Sequence, residues 1–200
     1  MINIVIIYPK LFNCVSKFNR KVERIIKNLD TFKVSYMDDS NNLIESFFHD
    51  YEKKIDLINI SELNVNDISH AIIFDDGECF SDEFELLKSN GILIRNIAID
   101  ITRVVNIKID TEFNSNKSTS KYEYIGRGSY WGNPYSLYED GDRDEVIRKF
   151  KYDFDYEKFI NVDKKEVFKL SGKRLGCFCK PQACHGDVLA DFLNSWDDGK

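Results

Sequence analysis

INIVIIY, residues 2–8, is an apolar run broken only by Asn3. A strand with one face in water alternates apolar and polar residues. A run without alternation is buried on both faces, as in the middle of a parallel sheet flanked by helices. The reading extends outward from there. Val15, Phe18, Val22, Ile25, Ile26 and Leu29 follow at helical spacing. FKVSYM (residues 32–37) alternates like a strand, and NNLIESFFHDY (41–51) reads as a short helix with Leu43, Phe47 and Tyr51 inward. IDLINI (55–60) and HAIIF (70–74) are further strands. SDEFELLKSNG (81–91) has the marks of a helix, with Ser81 as N-cap, acidic residues in the first turn and Gly91 past the end. ILIRNIAI (92–99) reads as another buried strand. Strands alternating with short helices predict a parallel α/β sheet, a Rossmann-like domain over residues 1–101.

From Arg103 the texture changes. RVVNIKI (103–109) and YEYIG (122–126) are strand candidates on either side of the polar DTEFNSNKSTSK (110–121), which reads as a hairpin loop between paired strands. GDRDEVIRKFKYDF (141–154) places Val146, Ile147, Phe150 and Phe154 on one helical face. KKEVFKLSGKRL (164–175) predicts a helix ending near Gly172, RLGCFC (174–179) a short strand. HGDVLADFLNSW (185–196) predicts a last helix with Val188, Leu189, Phe192, Leu193 and Trp196 inward. The expected fold class is α/β in two small domains, with a C-terminal α/β domain over residues 102–200.

The chain has 200 residues, 42% of them hydrophobic and 14% aromatic, enough to fill a core. Residues 1–101 carry 11 Lys and Arg against 17 Asp and Glu, and residues 102–200 carry 17 against 17. A protein held on DNA by many phosphate contacts needs a basic excess. Nucleic acid is therefore disfavoured, and a small molecule or a host protein is the expected partner. No apolar stretch approaches 18 residues, and the N-terminus lacks a basic n-region and a small-residue cleavage site. The expectation is a cytoplasmic protein with no membrane association. In a reducing compartment, clustered cysteines serve as ligands or reactive thiols rather than disulfides.

Two motifs concentrate chemistry. YIGRGSYWGNPY (124–135) puts three glycines, Arg127, Ser129, Trp131 and Asn133 directly after a strand. Glycines such as Gly128 let backbone N–H groups approach an anion or a ring, Arg127 can fork onto phosphate or carboxylate, and Trp131 or Tyr130 can stack on a base. The alternative is a tight loop with an aromatic plug in the core. The segment lacks the G-K-[ST] ending of a P-loop. GCFCKPQACHGD (176–187) brings Cys177 and Cys179 onto one face of a strand, and Cys184 and His185 to the start of the last helix. A helix N-terminus lowers a thiol pKa and collects anions. Asp187 in the same turn can cap the helix or orient His185. Cys177, Cys179, Cys184 and His185 form a recognised zinc ligand set, but the C-x-C-x4-C-H spacing is unusual and the adjacency of Cys184 and His185 strains binding of both to one ion. Zinc, a reactive thiol site and plain packing all remain open here. Elsewhere, Cys14, Cys79, His49 and His70 read as bystanders, and the acidic pairs at 38–39 and 197–198 as solvated surface.

Both motifs resemble the hallmarks of domain of unknown function 4326, found in bacteria and phages, over residues 102–196. The resemblance implies a phage-type protein in which the two motifs share one site, and it implies no activity. A weaker similarity is to domain of unknown function 488, where a strand ends C-x-E and C-H-R opens a helix. It implies that Cys177, Cys184 and His185 are the shared set and Cys179 is dispensable. SHAIIFDDGECFSDEFELLKSNGILIRNI (69–97) resembles the second half of the SLOG superfamily of nucleotide-binding Rossmann-like domains. That places Asp75, Asp76, Gly77 and Glu78 at the ligand edge, although the first strand ends YPK without a glycine-rich turn. The expected function is binding, with processing, of a nucleotide, nucleoside or NAD-like molecule. Arg127, Gly128, Ser129, Trp131, Asn133 and Cys179 would hold it, and Cys177 or Cys184 would act as nucleophile or proton donor with His185 as general acid/base and Asp187 beside it. The alternative is a non-enzymatic binder that sequesters a nucleotide signal or contacts a host protein, its cysteine motif structural or zinc-binding.

Overall fold

The computed structural model describes residues 2–110, 112–113, 118–160 and 162–200. The chain forms two compact units. One runs to Ile99 and takes up Asp197–Lys200 again, and the other is Asp100–Trp196.

The first unit holds a five-stranded sheet made of β1 (Ile2–Ile7), β2 (Phe32–Tyr36), β3 (Asp56–Asn59), β4 (His70–Asp75) and β5 (Leu93–Ala98), in the order β3-β2-β1-β4-β5. All neighbours are parallel, with Ile4 opposite both Val34 and His70. The unalternating run of β1 is explained by its central place. Val5 and Ile7 pack on one face with Ile73 of β4 and Leu87 of α3 (Ser81–Ser89). On the other face Phe74 of β4 stacks on Phe18 of α1 (Val15–Ile26) and on Phe12, with ring centroids 5.2 and 5.0 Å apart. β5 is not the buried strand expected from its composition. It is an edge strand, and Leu93 is 65% exposed. α2 (Leu43–His49) is capped from upstream, since Asp39 accepts from the backbone N–H of Ile44 and Glu45. Ser81 is not the N-cap of α3. Phe80, in the left-handed region at φ 65°, takes that place, so Ser81 is the first helical residue.

The second unit holds β6 (Arg103–Asn106), β7 (Tyr122–Tyr124) and β8 (Arg174–Cys177), ordered β6-β8-β7 and parallel throughout. The hairpin expected between β6 and β7 is therefore absent. The later, more buried β8 inserts between them, with Leu175 and Cys177 in the core, and parallel neighbours need crossovers rather than tight turns. Part of the polar stretch 110–121 lies outside the described residues. The crossover from β7 to β8 carries α4 (Arg143–Asp155) and a 3-10 turn over Lys164–Leu170, where an α-helix was expected. α5 (His185–Asn194) follows β8. Its far end is tied down by Asn194, which accepts from the N–H of Thr102 and donates to its carbonyl. Among the described residues no helix is long and apolar enough to cross a membrane.

Candidate functional site

The cysteine-rich segment is a strand–loop–helix elbow. Cys177 ends β8, Cys184 is the N-cap of α5 and His185 is its first residue. Cys184 is extended (φ −139°, ψ 147°) where the helix begins. This change of backbone direction turns two adjacent side chains to the same side, with Cys184 Sγ 3.6 Å from His185 Nδ1. The adjacency expected to strain binding of both to one ion leaves their ligand atoms on the same side. Gly186 makes the close approach possible, since a Cβ there would lie 2.4 Å from Ile125 Cδ1. The first turn of α5 thus lies against the end of β7, and His185 Nε2 donates to the Ile125 carbonyl at 2.9 Å. That bond fixes the tautomer, leaving Nδ1 as a lone pair aimed at the sulfurs.

Cys177, Cys184 and His185 are 4%, 1% and 5% exposed. Their ligand atoms all lie within 4.8 Å of one another. Cys177 Sγ donates to Cys179 Sγ at 3.4 Å. Burial lowers the pKa of His185, so the ring is held neutral. The Cys177 and Cys184 thiols are raised, chiefly because each gives its S–H to a neighbouring sulfur. Cys179 is lowered, first because Cys177 and then Cys184 donate to it, and further by the Arg143 guanidinium beside it.

These groups floor a cleft of about 190 Å³, lined also by Gly126, Arg127, Asn133, Tyr135 and Arg143. Of the residues singled out in the sequence, Cys177, Cys179, Cys184, His185, Arg127 and Asn133 meet at this cleft. Arg127 is exposed and donates to Ser136 Oγ at 3.0 Å. Asn133 is committed to structure, donating to the Val146 carbonyl and accepting from the Tyr135 N–H. Trp131 is not a stacking platform here. It is 5% exposed in the core with Phe150, Leu175 and Leu189. Gly128 and Ser129 do not line the cleft, and the Ser129 hydroxyl is buried without a partner. Asp187 caps the helix: it accepts from the Cys184 N–H at 2.9 Å and pairs with Lys180 at 2.6 Å. Its carboxylate is thereby engaged away from His185. Sequence reasoning missed Arg143, which donates to the Ala183 carbonyl and faces Cys179. The available signal was its position: a cation in the first turn of a helix opposes the helix dipole and needs a reason to be there.

In the first unit, the acidic turn after β4 is self-satisfied. Asp75 accepts from Gly77 N–H and Asn96, and Asp76 from Glu78 and Cys79 N–H. Tyr8 donates to Asp39 across the ends of β1 and β2.

Comparison with known proteins places both halves. Residues 1–105 match the model of the minimal SLOG domain. The chain belongs to the minimal SLOG domain family. Its SLOG unit is followed by a match to domain of unknown function 4326 over residues 107–195. The SLOG-containing chain is 40% identical over 95 residues to the uncharacterized 12.4 kDa protein in the nrdA-td intergenic region of Enterobacteria phage T4, covering 47% of this chain and 79% of that one. No solved structure matches.

Proposed function

We propose that the cleft of the second unit is a metal-assisted site acting on a small anionic ring compound of the nucleotide class. Cys177, Cys184 and His185 would hold zinc at its floor. The observation that carries this reading is the convergence of three buried ligand atoms within 4.8 Å, at the floor of a cleft. A tetrahedral zinc with Zn–S and Zn–N bonds of normal length sets its sulfur and nitrogen about 3.6 Å apart. Cys184 Sγ and His185 Nδ1 are 3.6 Å apart. A zinc-ligating histidine donates its other N–H to a fixed acceptor, the part the Ile125 carbonyl plays here. Zinc so held supplies Lewis-acid polarisation of an oxygen of the bound molecule. Arg127 and Arg143 give the mouth its positive charge and would take the anionic group. The size of the cleft limits the substrate. About 190 Å³ is below the roughly 300 Å³ at which pockets enclose drug-sized ligands. One base or sugar ring enters, and phosphates or a second nucleotide stay at the mouth. The minimal SLOG match lies in the first unit, so the nucleotide class of ligand at this cleft rests on its own size and its two arginines.

A second reading rests on Cys179, which is half-buried, flanked by Arg143 and lowered by its sulfur donors. In the absence of metal it would be the nucleophile, since Cys177 and Cys184 are buried and raised. Metal analysis of the purified chain separates the two. One zinc per chain, lost in Cys184→Ser and His185→Gln while the tryptophan fluorescence stays native, is expected. Metal-free protein with fast alkylation at Cys179 overturns the zinc reading in favour of the thiol. Zinc that leaves only as the unit unfolds assigns the ion to structure, and the protein to non-enzymatic binding.

A further inference from the structure

The cysteine elbow carries one thiol more than its ligand set uses. Among the described residues, the ligand atoms that all lie within 4.8 Å of one another belong to Cys177, Cys184 and His185. Cys179 stands outside that set, yet Cys177 gives its S–H to the Cys179 sulfur across 3.4 Å. A thiol that the floor of the cleft does not need is thus held against one that it does.

The three thiols differ in access and in freedom. Cys177, at the end of β8, is 4% exposed and Cys184 is 1% exposed. Cys179 is half-buried and lines the cleft, with the Arg143 guanidinium beside it. An accessible thiol next to a cation, with a second thiol in reach, is the arrangement in which the first sulfur takes an oxidant and the second resolves it. Cys184 is the less available partner, because its sulfur caps α5 by accepting the Gly186 N–H. Cys177 is joined to Cys179 through Phe178 alone, a residue 47% exposed, so core packing does not fix the link. A disulfide needs its sulfurs about 2.0 Å apart, so closure from the present separation is a movement of about 1.4 Å divided between two side chains.

We infer that Cys179 and Cys177 are a peroxide-reactive dithiol, in which Cys179 is oxidised first and Cys177 closes the disulfide. One peroxide oxygen passes to the Cys179 sulfur, giving a sulfenic acid and one water. The Cys177 sulfur then attacks that sulfur and the S–O bond breaks. The hydroxyl leaves with the Cys177 proton as a second water. Two electrons have passed from the sulfurs to the peroxide, and the S–S bond is the product. Only a thiolate binds zinc, and the disulfide has none at position 177. On the zinc reading above, oxidation leaves Cys184 and His185 alone on the ion and releases it, so one bond switches the cleft off. The disulfide itself does not depend on that reading.

The test treats the full chain, as purified, with a small molar excess of hydrogen peroxide. Intact and fragment mass spectrometry follow the thiols, and metal analysis follows the zinc. The wild-type chain is expected to lose about two mass units, the two hydrogens of a Cys177–Cys179 disulfide, and to release its zinc in step. Dithiothreitol and added zinc should reverse both changes. Cys179→Ser is expected to keep its zinc and its native tryptophan fluorescence, and to release zinc at least tenfold more slowly under peroxide. A wild-type chain whose Cys177 and Cys179 thiols survive the treatment overturns the inference. So does a disulfide that runs through Cys184, or a Cys179→Ser chain that has lost its zinc before any oxidant is added. Wild-type chain purified without zinc counts against the metal reading alone, and the mass of the oxidised chain still decides the dithiol.

Discussion

Truncating Asn194 to alanine tests how the cysteine–histidine elbow is held. Asn194 and Thr102 are 4% and 1% exposed. The amide copies a strand neighbour, giving Thr102 an acceptor at 2.8 Å and a donor at 3.0 Å. The Thr102 hydroxyl is engaged separately, receiving the Gly172 N–H and donating to the Leu170 carbonyl. Asn194→Ala therefore strands one buried N–H and one buried C=O that nothing else in the contact can satisfy. Each costs about 1–3 kcal/mol, so about 2–6 kcal/mol in total. For a unit of this size, with a urea slope of about 1.5 kcal/mol/M, a loss of about 3 kcal/mol lowers the midpoint by about 2 M. Both tryptophans, Trp131 and Trp196, lie in the second unit, so their fluorescence follows that unit alone in a urea titration. Asn194→Asp keeps the acceptor but turns a carboxylate oxygen on the Thr102 carbonyl, and should be at least as damaging. A midpoint shift under about 0.5 M for the alanine variant would refute the claim that this pair anchors α5.

Two further outcomes follow from the same structure. Gly132→Ala puts a Cβ 2.7 Å from the Gly126 carbonyl oxygen and 3.2 Å from Gly128 N and Ser129 O. These are backbone atoms that cannot rotate away, so a loss of about 1–3 kcal/mol is expected by the same fluorescence titration, and a wild-type midpoint counts against it. In the C-terminal segment 197–200, which pairs with α1 through Lys17 and Arg20, Asp197 is lowered chiefly by its bond to Arg20; burial raises Asp198, but Lys17 and the Lys200 N–H together lower it more. Carboxylates depressed by docking stabilise it fully above their free pKa of about 3.9 and lose that contribution as pH falls through the lower docked value. With Ser16, Lys17, Arg20 and Lys200 as the facing groups, the Gly199 amide resonance should move to a free-chain position on acidification before the core unfolds. A resonance that moves only with global unfolding would show that the carboxylates do not hold the segment.

The fold was legible where burial wrote itself into composition. The run at residues 2–8 predicts a central strand because only a strand covered on both faces needs no polar residue, and β1 has neighbours and helices on every side. The same logic misleads at residues 92–99. β5 is as apolar as a buried strand, yet it is an edge with Leu93 in solvent. Composition reports side chains, whereas edge or centre is decided by which strand arrives next. β6 and β7 fail for a related reason. Each reads correctly as a strand, but pairing depends on β8, some fifty residues later, and nothing local announces an insertion.

At the site the difference is one of direction rather than of membership. The sequence names the thiols, the imidazole and Arg127, and all of them border one cleft. It misplaces Trp131, because an aromatic beside glycines satisfies a stacking pattern and a core plug equally well, and only packing against Phe150 and Leu175 decides between them. The strain expected at the Cys184–His185 pair presumes that both residues share one backbone conformation. At a helix N-cap they do not. The capping residue is extended and the next is helical, and that single change of direction is what brings Sγ and Nδ1 to 3.6 Å. The same cap joins stability to chemistry. Asp187 closes the cap on the Cys184 N–H, and Gly186 lets the turn reach Ile125, whose carbonyl sets the imidazole tautomer. A C-H-G-D sequence at a strand-to-helix elbow thus encodes a thiol, an imidazole, a close approach and a lock, in that order, and each letter has a reason independent of the others.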